Sequence, residues 1–191
     1  MLKLNFTPFP ELKSERLTFR KLTLEDAPEV LKLRGDKKIM EFIPRPLATT
    51  IDEALDHIKL INSKIEENVD INWAITEKGS DKCIGIIGFY RTQPENFRTE
   101  LGYMIASDFW GKGYITEAVN VLLDFAFNTL NFHSIEAVID SKHHASEKVL
   151  IKNGFRKEAH FIEDFFYNDK FNDTVKYGLL KREFNSKKNQ L

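Results

Sequence analysis

Thr99–Ala118 reads T-E-L-G-Y-M-I-A-S-D-F-W-G-K-G-Y-I-T-E-A. A short strand, Glu100–Ala106, runs into the tight loop Trp110-Gly111-Lys112-Gly113-Tyr114, and Thr116 and Glu117 open a helical run. Glycine has no Cβ, so its backbone can approach an anion closely. The first N–H groups of the next helix lack intrahelical partners and carry the positive end of its dipole. Together these make an anion site, to which Lys112 adds a charge. An ordinary turn has the same composition. The loop is not a Walker loop, because Ala106 stands five residues before Gly111 and Gly113 follows Lys112 where Ser or Thr belongs. Nor does the chain contain G-x-G-x-x-G.

The 191 residues suit one domain, and 42% hydrophobic with 30% charged residues is a globular balance. Twenty-eight basic against 29 acidic residues give a net charge of −1, which supplies no field for nucleic acid or a membrane. The single Cys83 excludes an intrachain disulfide and a cysteine zinc cluster, and its apolar neighbours predict a buried, inert thiol. No signal peptide or membrane-length apolar run is apparent, so a soluble cytoplasmic protein is expected.

Upstream, Arg16–Leu22 alternates as a half-buried strand does. Thr23 is expected to cap a helix reaching about Leu33, and Gly35 to end it. Thr50 caps a second helix with Ile51, Ala54, Leu55, Ile58, Ile61 and Ile65 in one stripe. Ile71–Thr76 and Cys83–Tyr90 read as paired strands, with Gly85 and Gly88 marking a bulge or a close backbone approach. Arg91–Arg98 reads as a loop. Downstream of the glycine loop come a mostly buried helix, a strand Ser134–Asp140 and a helix Ala145–Lys152 ended by Gly154. Two strands follow, near Phe155–Phe166 and Phe171–Leu180, joined by Asn168-Asp169-Lys170. Lys181–Leu191 reads as a frayed polar tail. The order is that of a mixed α/β fold.

E-L-G-Y followed by W-G-K-G-Y-x-T-E-A resembles the core motif of GNAT acetyltransferases, and is most similar to their RimJ/RimL-type branch, named for ribosomal-protein N-terminal acetyltransferases. The likeness runs from about Ser14 to Leu180 in one domain of 1–191, and E-R-L at Glu15–Leu17 is how the family usually begins. It implies a mixed, mostly antiparallel sheet flanked by helices, with two central strands splayed to admit acetyl-CoA. The reaction implied is direct acetyl transfer from that thioester to a primary amine, with a general base on the amine and donors for the tetrahedral intermediate.

By the same resemblance Glu100 is the candidate base; read without it, Glu100 is a strand carboxylate facing solvent. Backbone amides at Tyr103, Met104 and Ile105 would hold the pantetheine arm. Gly111, Lys112, Gly113, Tyr114, Ile115 and Thr116 would cradle the pyrophosphate, with Ile115 departing from the usual Ala or Gly. His143-His144-Ala145-Ser146, with Val149-Leu150 and Lys152-Asn153-Gly154-Phe155, resembles N-x-A-S…V-L-x-K-x-G-F. His143 replaces the Asn that typically bonds the cofactor arm. Ser146 aligns with a serine proposed to serve the leaving thiolate; as a helix N-terminal residue it would bond backbone N–H groups instead. Leu150 stands where many other members carry a tyrosine acid.

The histidines have no ligand spacing for a metal. Phe161, Phe165, Phe166, Tyr167 and Phe171 are expected to pack a sheet or line the acceptor cleft. The expected acceptor is a small amine or a protein N-terminus, and the region of the first two helices is expected to choose it. A monomer or, by resemblance, a homodimer is expected. An acyl-CoA-binding module with little transfer activity is the alternative, raised by His143 and Ile115.

Overall fold

The computed structural model describes residues 1–188. Eight strands form one sheet in the order β1-β2-β3-β4-β5-β6-β8-β7. These are β1 (Leu12–Lys13), β2 (Leu17–Arg20), β3 (Ile71–Glu77), β4 (Cys83–Gln93), β5 (Arg98–Ile105), β6 (Ser134–Asp140), β7 (Arg156–Tyr167) and β8 (Lys170–Leu180). Only β5 and β6 run parallel. The helices are α1 (Ala27–Gly35), α2 (Ile51–Glu66), α3 (Tyr114–Asp124), α4 (His144–Lys152) and α5 (Lys181–Lys188).

The splay is written in the register. β5 and β6 pair only over Arg98–Glu100 and Ser134–Glu136. Beyond that, β5 stays on β4 as far as Ile105, opposite Gly85, and β6 stays on β8 as far as Asp140, opposite Thr174. Each arm is held by its outer neighbour, and a V opens between them.

Local chemistry explains the elements. Thr50 caps α2 by accepting from the Glu53 N–H at 3.3 Å, while the Glu53 carboxylate accepts from the Thr50 N–H at 3.2 Å. Thr23 opens a 3-10 turn over Leu24–Asp26 first, and its N–H donates to Asp26 at 2.9 Å; α1 begins only at Ala27. β3 and the Cys83–Phe89 part of β4 are buried on both faces, so helices cover them from two sides. α1 packs with α2 on one side, and α3 with α4 on the other.

Both expectations for the β4 glycines are met. Ile75 faces Gly85 while Thr76 faces Cys83, leaving Ile84 as a bulge. A Cβ on Gly88 would stand 2.0 Å from Asn72 Nδ2 and 2.4 Å from the Ile71 carbonyl oxygen. Cys83 is buried, and burial pushes its thiol up to about 12.

Several expectations are corrected. The first strand stops at Arg20 rather than Leu22. Arg91–Arg98 is not one loop: β4 continues to Gln93 and a 3-10 turn covers Pro94–Asn96. The tail is helical over Lys181–Lys188, anchored by buried Phe184, whose ring lies 5.3 Å from that of Phe127; 189–191 lie outside the described residues. Of the β7–β8 aromatics, Phe161, Phe166 and Phe171 are exposed, the last two against each other at 5.0 Å, while Phe165 and Tyr167 are half-buried with their rings 6.4 Å apart. Past Thr174 this hairpin has no β6 neighbour, so nothing in the sheet covers its rings.

Candidate active site

The glycine loop is held from outside. Gly111 and Gly113 take φ +71° and +78°, the region that favours glycine. Gly113 is the N-cap of α3 and supplies no side-chain cap, which leaves the first amides of the helix to an anion. Trp110 Nε1 donates to the Ile105 carbonyl at 3.0 Å and ties the loop to the end of β5. Arg16 braces the other side. Its Nη1 donates to the Lys112 carbonyl at 3.0 Å, its Nε pairs with Glu117 at 2.7 Å, and its guanidinium lies 4.5 Å above the Tyr114 ring. Tyr114 OH donates to Glu77 at 2.7 Å. Lys112 Nζ rests over the Phe109 ring at 5.4 Å. Ile115 packs against the core, so the larger side chain is accommodated.

β5 divides the remaining residues between its two faces. Tyr103 points to the α3–α4 side, where its hydroxyl meets Ser146 Oγ at 2.7 Å. Burial raises the Tyr103 phenol to about 12, and the Ser146 bond opposes that rise. Ser146 is buried in the first turn of α4. Its hydroxyl therefore serves a phenol at the V rather than the helix N–H groups. Glu100, Gly102 and Met104 lie on the opposite face by strand alternation.

On that second face Glu100 Oε2 accepts from Arg91 Nη1 at 2.6 Å, and Glu100 is 15% exposed against 66% for Arg91. The cause is a second bulge. Tyr90 faces Glu100 and Gln93 faces Arg98, so one residue is extra, and Arg91 takes φ +49°. The Tyr90 ring lies over Gly102, where a Cβ would stand 2.8 Å from Cε2. Its phenol is raised by burial and is within electrostatic reach of Asp70, of Arg34 on α1 and of Glu100. Arg34 Nη1 donates to His57 Nε2 at 3.4 Å, and burial with Arg34 beside it pushes His57 down to about 4. The face of Glu100 is thus the face of α1 and α2.

His143 is the N-cap of α4, caps nothing with its ring, and stacks on Phe42 at 4.5 Å and 19°. Burial lowers its pKa. The stack joins the α1–α2 connection to the end of β6.

The structure thus brings Gly111–Thr116 together at the head of α3, and Tyr103 together with Ser146. Glu100 sits across the sheet from that pair, and His143 leans on Phe42. Three contacts were missed by sequence reasoning: the Tyr103 hydroxyl, the Phe42 ring, and Arg16 beneath the loop. Of these only Arg16 left a signal, in the E-R-L run. No group of three or more His, Cys, Asp or Glu suited to a metal occurs among the described residues. Among them, too, no helix is long and apolar enough to cross a membrane.

The acetyltransferase (GNAT) domain family matches residues 16–156. The chain is 34% identical over 173 residues to the uncharacterised N-acetyltransferase p20 of Bacillus licheniformis, covering 91% of this chain and 97% of that one. Two solved structures share the fold. The spermidine N-acetyltransferase of Vibrio cholerae in complex with CoA and spermine has TM-score 0.80 and 23% identity over 90% of this chain and 99% of that one. RimL, a ribosomal L7/L12 α-N-protein acetyltransferase in complex with CoA, has TM-score 0.82 and 17% identity over 90% and 98%. The chain belongs to the GNAT acetyltransferase family and is an acetyl-CoA-dependent N-acetyltransferase.

The residues present fit that co-substrate. No atom lies within 4 Å of a Cβ placed on Gly111, and the α3 N-terminus faces outward without a side-chain cap. Gly111, Gly113 and the first amides of α3 would hold the pyrophosphate, and the unpaired edge of β5 from Leu101 to Ile105 the arm. Acetyl-CoA supplies the activated acyl carbon as a thioester.

Proposed function

We propose that the enzyme acetylates a primary amine in a ternary complex, with Glu100 as general base and the Tyr103–Ser146 pair as proton source for the leaving thiolate. The observation that carries this reading is the division of β5. Glu100 lies on the α1–α2 face, and the Tyr103 and Ser146 hydroxyls, 2.7 Å apart, lie on the α3–α4 face. The V between β5 and β6 connects the two. A base on one side and a donor on the other match an amine and a thiol reaching one carbonyl from opposite directions. Glu100 takes the proton directly or through water, and Arg91 balances the carboxylate from solvent. Amides along Tyr103–Ile105 polarise the carbonyl.

The acceptor is a small amine or a protein N-terminus. Relatives of both kinds support this, among them a spermidine N(1)-acetyltransferase of Vibrio cholerae at 24% identity. The ribosomal-type motif of the glycine loop supports placing the chain in the RimJ/RimL-like branch.

Calorimetric titration with acetyl-CoA, CoA and ATP tests the cofactor half. The first two are expected to bind and ATP not to. A Gly111→Val variant, strained at φ +71°, is expected to lose at least about tenfold in CoA affinity. Failure of CoA to bind, or unchanged affinity in the variant, contradicts the loop assignment.

A further inference from the structure

Arg34 has no ion-pair partner among the described residues, and the Glu53 carboxylate acts on it only from beyond contact distance. Arg34 lies at the end of α1 and lines a cavity of about 210 Å³ with Pro46, Leu47, Ala48 and Glu53. Its hydrogen bond goes to the neutral His57 ring, and no ion pair joins it to a carboxylate among the described residues. The acidic groups nearby are committed elsewhere. Glu53 accepts from the Thr49 N–H at 2.6 Å and the Thr50 N–H at 3.2 Å to cap α2. Glu100 is paired with Arg91 at 2.6 Å. Asp70 pairs with Lys64 at 3.6 Å and accepts from the Thr92 N–H at 3.2 Å. Arg45 adds a second positive charge within electrostatic reach of Arg34.

A half-buried guanidinium with no carboxylate in contact is costly to maintain. Its planar fork matches a carboxylate through two parallel bonds. Tyr90 faces Glu100 in the β4–β5 register and is within electrostatic reach of both Arg34 and Glu100.

We propose that Arg34, with Arg45 beside it, is an anion subsite for the acetyl acceptor, so that the acceptor is an amine bearing a carboxylate and not a polyamine. The inference rests on the reading of Glu100 as the base. The amine is then bound at Glu100 and the carboxylate at Arg34. A polycation placed there would set its second ammonium against the charges of Arg34 and Arg45.

The test is acetylation of Ala-Asp, alanylalanine amide, β-alanine and spermidine by the wild type and by Arg34→Gln. The wild type is expected to favour a carboxylate-bearing amine over the neutral amide by about tenfold or more in kcat/KM. Ala-Asp against β-alanine separates a peptide N-terminus from a small amino acid. Arg34→Gln is expected to abolish the preference while the KM for acetyl-CoA stays the same. A wild type that prefers spermidine, or a preference that survives in Arg34→Gln, overturns the subsite. If acetyl-CoA binds and no amine is acetylated, the transferase reading of Glu100 fails. The subsite is then decided by calorimetry of N-acetyl-Ala-Asp with the CoA-loaded protein. Binding that is lost in Arg34→Gln supports it, and no binding, or equal binding, overturns it.

Discussion

Ser146 and Tyr103 sit 43 residues apart in the chain and share one hydrogen bond. If that pair returns the proton to the thiolate, Ser146→Ala is expected to lower kcat by about 10²-fold with little change in the KM for acetyl-CoA. Unchanged kcat in steady-state assays would leave Ser146 a packing residue. His57 gives a test of stability. Its pKa of about 4 in the folded protein lies below the ordinary histidine value of 6.5. The unfolded chain therefore binds the extra proton between these values, and stability rises with pH across that window. Wild type is expected to lose up to about 3 kcal/mol from this group as pH falls from 6.5 to 4. Urea titrations of His57→Gln should show a shallower loss over the same range; parallel curves would contradict the buried neutral ring. Little of this was legible in sequence. Glu100 and Ser146 were found through a motif, whereas the Tyr103–Ser146 bond and the Phe42–His143 stack are made by the tertiary fold alone.

At the scale of elements, the glycine loop is braced by Arg16, which comes from a distant segment and ties Lys112 and Glu117 together. Arg16→Ala is expected to raise the KM for acetyl-CoA about tenfold while kcat changes less, since the loop would lose its brace and not its glycines. Equal KM values in the two proteins would show that the loop holds its shape unaided. Most elements could be read from their own residues. The Thr50 cap with Glu53, the stripe of α2, and Gly154 at φ +95° after α4 are local signals. The hairpin turn at Asn168-Asp169, with φ +51° and +56°, is another. Failure came where local composition misled. Lys181–Lys188 is polar throughout except for Phe184, and its anchors are all tertiary: that ring against Phe127, Glu183 paired with Arg156, and Lys181 bonded to Asn131. The exposed β7–β8 aromatics lie on the part of the hairpin that has outrun β6, which only the register shows.

At the scale of the molecule, the site is a consequence of strand pairing. Three register pairs hold β5 to β6 before β4 and β8 pull them apart. The helices on the two faces then surround a gap with different chemistry on each side. The family motif implied that gap, but not which residues would face each other across it, because that depends on register and bulges. The bulge that turns Arg91 onto Glu100 is one such case. The central claim is that Glu100 takes the amine proton on the α1–α2 side of this gap. The most direct measurement is pre-steady-state acetylation by Glu100→Gln, alongside calorimetry of acetyl-CoA binding to the same variant. Transfer is expected to slow by about 10²–10⁴-fold with cofactor affinity within about twofold of wild type. Transfer at the wild-type rate would contradict the account.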